Sequence, residues 1–67
     1  MTAAQFERLD EIEAEEILRW RFQTLAGAGY KPLDAIKLAS RVEVDLHEAT
    51  DLVVRGCPSE TALRILL

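Results

Sequence analysis

Ala28-Gly29-Tyr30-Lys31-Pro32-Leu33-Asp34-Ala35-Ile36-Lys37-Leu38-Ala39-Ser40, running on through Arg41-Val42-Glu43-Val44 to Asp45–Val54, decides the fold of this chain. Gly29 is suited to end a helix, because only glycine takes the left-handed position after the last turn without a Cβ penalty. Pro32 suits the first turn of the next helix, where its missing N–H removes no bond. That helix is expected to reach about Ser40, with Ala35, Ile36 and Ala39 on its inner side, small enough for close approach. Arg41-Val42-Glu43-Val44 reads as a short extended connector. Asp45 then caps a further helix, with Glu48 three residues on, whose inner face is Leu46, Ala49, Leu52 and Val53 and whose end is Gly56.

Working back toward the start, Thr2-Ala3-Ala4-Gln5 has the form of a capping box. The acids after it sit near the positive end of the helix dipole. No Gly or Pro interrupts residues 3–26, so a single first helix of about 24 residues, roughly 36 Å, is expected. Projected at 100° per residue, Ala14, Ile17, Leu18, Phe22 and Leu25 form one stripe, while Phe6, Leu9, Ile12 and Trp20 point elsewhere. Working forward, Pro58 opens a last short helix whose Ala62, Leu63, Ile65, Leu66 and Leu67 need cover. Gly29 to Leu38 also echoes Gly56 to Ile65 at an offset of 27: Ala35-Ile36-Lys37-Leu38 against Ala62-Leu63-Arg64-Ile65. Short helices of common composition account for so brief an echo, and repeat arrays need more than two units.

Sixty-seven residues allow one domain near the lower limit for a self-sufficient core. With 49% hydrophobic and 30% charged residues, and only three Gly and two Pro, the composition favours a folded helical chain over a disordered one. The expectation is therefore an all-α fold: a small four-helix bundle with a long acidic first helix. One cysteine, Cys57, excludes an internal disulfide and a cysteine-rich zinc site. No signal peptide or apolar run of membrane-spanning length is visible, which points to a soluble, cytoplasmic protein.

The net charge of −4 is unevenly placed. Glu7, Asp10, Glu11, Glu13, Glu15 and Glu16 face a single base, Arg8, within residues 1–18, and the remainder is nearly balanced. Duplex binding needs a basic face. The acidic arm argues against nucleic acid as the partner, leaving only a local cluster of Arg19, Arg21, Lys31, Lys37 and Arg41 in its favour.

Residues 17–54 resemble the ubiquitin-associated (UBA-like) three-helix domain. Ala28-Gly29-Tyr30 stands where that family has its Met-Gly-aromatic loop, Asp34-Ala35-Ile36 where its second helix has Glu-Ala-Leu, and Asp45–Val53 at the distance of its third helix. On this resemblance residues 1–16 are an acidic extension of the first helix, 17–54 the core, and 55–67 an added C-terminal helix. The family's partner patch, carried over, implies Gly29, Tyr30 and Val54. Ala28 replaces the Met favoured by ubiquitin binders, and the connector lacks the usual Gly or Asn. The family also includes the amino-terminal module of bacterial elongation factor Ts, so the fold does not dictate ubiquitin binding. The whole chain is also similar to small proteins of actinobacteria and their phages that end in a comparable Gly-Cys-Pro tail, which implies a prokaryotic or phage origin and, in the latter case, a place in the virion.

No catalytic, cofactor-binding or metal-ligating constellation is visible. His47 has no nucleophile or companion ligands in the sequence, and its acidic neighbours read as caps and solvated charge. Cys57 at a helix start reads as a small hydrophobe. Trp20, between Arg19 and Arg21, is suited to anchoring a protein contact or stacking on a base. Phe6, Leu9 and Ile12 form an apolar strip that, buried, is worth roughly 1.5–3 kcal/mol per side chain before association costs. The expected function is therefore a non-enzymatic protein-protein interaction module, homo-oligomeric or part of a larger assembly. It would act through Phe6, Leu9, Ile12 and Trp20, and secondarily through Gly29, Tyr30 and Val54. The alternative is a helix-turn-helix regulator using Arg41, Arg55 and Arg64 against phosphate, although its recognition helix Asp45–Arg55 carries three acids and one base.

Overall fold

A computed structural model describes residues 1–67 as five helices with no strand: α1 (Ala3–Glu7), α2 (Glu11–Ala28), α3 (Pro32–Ala39), α4 (Leu46–Val54) and α5 (Ser59–Leu66). Helix α2 is the spine. It packs against α3 and α4, and α5 closes the far side against α3 and α4.

The long first helix is broken. Asp10 takes an extended conformation and its Oδ1 accepts the Glu13 N–H at 2.8 Å, which starts α2 afresh. A short acidic side chain that bonds its own backbone competes with helix continuation. The bundle therefore has five helices where four were expected, and Leu9 lies in a turn closed by its own N–H to the Phe6 carbonyl. The Thr2–Gln5 capping box forms in both directions, at 3.0 and 3.1 Å.

Both glycine stops are built alike. The Tyr30 N–H donates to the Leu25 carbonyl and the Gly29 N–H to Ala26; the Cys57 N–H donates to Leu52 and the Gly56 N–H to Val53. This is the Schellman pattern, and each glycine holds the positive φ it needs, 129° at Gly29 and 100° at Gly56. The offset-27 echo thus has a structural counterpart. Each stop introduces an eight-residue helix, and the matching Ala35 and Ala62 are both fully buried.

The core is narrow. Leu25 and Leu38 are its only large, wholly buried side chains; Tyr30, Ala35, Ala39, Ala49 and Ala62 complete it, with Phe22, Leu46, Leu52, Val53, Leu63 and Leu66 packed on its edge. Alanine at the crossings brings the helix axes close, at the cost of buried apolar area. Ile36, expected inside, faces solvent, and Leu38 takes the inner position.

The segment after α3 also differs from expectation. Residues 41–44 form a turn, closed by the Val44 N–H on the Arg41 carbonyl at 3.0 Å, instead of an extended connector. The cause is Arg21. Its Nε donates to the Ala39 carbonyl, and one terminal nitrogen reaches the carbonyls of Leu38, Arg41 and Val44 at 2.9–3.4 Å. A fixed cationic fork gathers carbonyls at the negative end of α3 and in the turn after it, and folds the connector around itself.

Candidate interaction surface

Arg21 also sets the surface beside it. By tying the end of α3 to the middle of α2, it fixes a shallow hollow lined by Leu18, Phe22, Ile36 and Ala39, with Arg19 and Ser40 at its rim. A second hollow adjoins it, lined by Phe6, Ile12, Ala14 and Leu18 and rimmed by Glu11 and Glu15. Leu18 belongs to both, so one apolar face runs from Phe6 and Ile12 across Leu18 to Phe22 and Ile36. Ile12 is 70% exposed and Ile36 53%. Isolated surface aliphatics are ordinary; here they adjoin one another in two hollows that share Leu18.

The expected site residues do not form one group. Phe6 and Ile12 share a hollow; Leu9 stays half-buried in the turn between α1 and α2. Trp20, 60% exposed, lies on another side of α2, where it lines a hollow with Met1, Ile17, Val44 and Leu46. With Phe6 and Met1 each beside α2, the chain before Asp10 doubles back along that helix.

The loop patch is rearranged as well. The Tyr30 ring is buried, and its hydroxyl donates to the Ala49 carbonyl at 2.7 Å, so it fastens α2 to α4 instead of facing a partner. Burial shifts the Tyr30 phenol upward, with the neighbouring Cys57 adding to the shift. The start of α5 stands against the same loop: the Lys31 N–H donates to Ser59 Oγ at 3.3 Å, and that hydroxyl donates to Asp34 at 2.6 Å. Gly29 remains at the surface near Val53, and Val54 is 71% exposed.

The remaining polar groups are spread out. His47 is fully exposed, 4.0 Å from Asp45, whose Oδ1 accepts the His47 backbone N–H as the α4 cap. Half-buried Cys57 has Sγ 3.6 Å from the Pro58 carbonyl. No three His, Cys, Asp or Glu side chains converge as metal ligands, and no helix is long and apolar enough to cross a membrane. The outer side of α4 carries Glu48 and Asp51, with Arg55 held by Asp51 at 3.2 Å.

Arg21 and Leu18 are the residues whose roles sequence reasoning missed: grouped with a local basic cluster, Arg21 is in fact buried, at 6% exposure. Arg21 falls inside the apolar stripe of α2, between Leu18 and Leu25, where a charge is out of place unless its head group has a built partner. Its guanidinium is pulled down by burial and supported in the opposite sense by Glu43 and Asp45. Leu18 read as core but is only half-covered, and it lines both hollows. No protein-family model, curated protein or solved structure matches this chain.

Proposed function

We propose that the chain is a non-enzymatic protein-interaction module whose contact surface is the apolar face Phe6–Ile12–Leu18–Phe22–Ile36. The observation that carries this reading is the continuity of the two hollows through Leu18. Within it, residues 17–54 act as a UBA-like unit in which Tyr30 serves the core, so the binding surface moves from the loop to α2 and α3. Trp20 and Val54 lie off this face and take secondary parts at most. A cytoplasmic or virion-associated setting suits such a module. The outward acids of α4, Glu48 and Asp51, favour a protein over nucleic acid, whose phosphates they would repel.

Photo-crosslinking tests the reading. A photo-reactive residue at position 36, on the face, is expected to give covalent adducts with protein in the cells that make the chain. The same residue at position 47, fully exposed on α4, is expected to give few. Equal labelling from both positions, or none from position 36, overturns it.

A further inference from the structure

We propose that the occupant of this face is a second copy of the chain, packed antiparallel across Leu18. The proposal rests on the reading of the face as a contact surface and names its partner.

The face is charged in a self-complementary way. One hollow is rimmed by Glu11 and Glu15, the other by Arg19. Glu15 and Arg19 stand at i and i+4, in the order that favours an ion pair within a helix, yet none of Glu11, Glu15 or Arg19 takes part in an ion pair. All three side chains are exposed and free to pair outward.

A two-fold axis through Leu18, perpendicular to α2, lays the acidic hollow of one copy over the basic hollow of the other. Such an axis keeps flanks together and reverses height. Glu15 and Arg19 share a flank, about 60° and 100° round from Leu18. They lie about 4.5 Å before it and 1.5 Å after it along the axis, so the second copy's Arg19 comes within about 3 Å in height of Glu15. The Glu15–Arg19 contact then occurs twice, once in each direction, as a closed isologous pair requires. The same operation sets Phe6 and Ile12 against Phe22 and Ile36 of the other copy, apolar on apolar. A chain with two large, fully buried side chains has much to gain from that burial.

Sedimentation equilibrium on the full chain tests the proposal, with four proteins compared: wild type, Glu15→Arg, Arg19→Glu and the double reversal Glu15→Arg/Arg19→Glu. The wild type is expected to be a concentration-dependent dimer. Each single reversal strikes two symmetric contacts and raises the dissociation constant about tenfold or more, while the double reversal returns it to near the wild-type value. Unchanged circular dichroism confirms that the variants, all at exposed sites, remain folded. A dimer indifferent to the reversals, or one that the double reversal does not rescue, overturns the antiparallel arrangement. A wild-type monomer at millimolar concentration overturns the second-copy occupant. Adducts from position 36 to other proteins would then leave the face itself standing; their absence would remove both readings.

Discussion

Residues 1–20 and residues 21–67 are held in different ways. In the first region every side-chain hydrogen bond is a local cap: Thr2 with Gln5, Asp10 with Glu13. From Arg21 onward, side chains reach across the fold, from Arg21 to the end of α3 and the turn after it, from Tyr30 to Ala49, and from Ser59 to Asp34. Local caps decide where a helix starts, and long-range bonds decide how helices sit on one another. The body should therefore unfold as one cooperative unit while the arm opens on its own. The proposed face spans the join between the two.

Breaking the body should have the largest effect. Arg21→Met keeps an apolar stem but strands the carbonyls of Ala39 and Val44, since those of Leu38 and Arg41 keep the backbone N–H groups of Arg41 and Val44. A loss of about 3 kcal/mol is expected in urea unfolding. Arg21→Lys should recover part of it at most, since an ammonium lacks the planar fork. A near-neutral Arg21→Met would mean that the buried charge costs as much as its bonds return.

Gly29→Ala comes next. The added Cβ meets only Val53 Cβ at 4.0 Å, an ordinary contact, so the cost is backbone strain at φ 129°. About 2 kcal/mol is expected, again in the global urea transition. In the arm, Asp10→Ala should cost about 1 kcal/mol, but locally. Amide exchange at residues 11–16 should quicken while the urea midpoint stays nearly fixed. A global shift as large as that of Gly29→Ala would show that arm and body are one cooperative unit.

The same division separates what the sequence makes legible from what it hides. Helix stops at Gly29 and Gly56, starts at Pro32, Asp45 and Pro58, and the inner Leu46, Ala49, Leu52 and Val53 are all local or periodic signals, and all could be read. The break at Asp10 was equally local: an acid followed three residues later by Glu13 is a cap signature, masked by the lack of Gly or Pro around it. The Arg21 fork, the Tyr30–Ala49 bond and the Ser59–Asp34 bond join residues 17 to 25 apart and leave no periodic trace. The face formed by Phe6, Leu18 and Ile36 needs three helices at once, so periodicity within α2 assigned Leu18 to the core.

The smallest expected effect distinguishes two exposed carboxylates, one in each region. In the arm, the Glu13 carboxyl is raised, first by the charge of Asp10, then by a hydrogen bond to Asp10, with slight burial and Glu16 adding to it. In the body, the Glu43 carboxyl is lowered, first by its own backbone N–H and then by Arg41 and Arg21, against a small opposing effect of burial. The signs are opposite. Glu43 binds its proton more weakly folded than unfolded, so its stabilisation is present above the ordinary carboxylate pKa and is lost as pH falls through its lowered value. Glu13 binds its proton more tightly when folded, so its ionisation works against the fold at neutral pH, and that penalty is relieved as pH falls through its raised value. Glu43→Gln should therefore lower stability at pH 7 and flatten the acid side of the curve, whereas Glu13→Gln should raise stability slightly at pH 7 and remove the gain seen on mild acidification. Because Glu13 reports an arm that opens locally, its effect should register in amide exchange near residues 11–16, and that of Glu43 in the global transition. If both register globally, the arm is bound to the body more tightly than its caps alone can hold it, and the hollows that Phe6 and Met1 line beside α2 are the place to look for the difference.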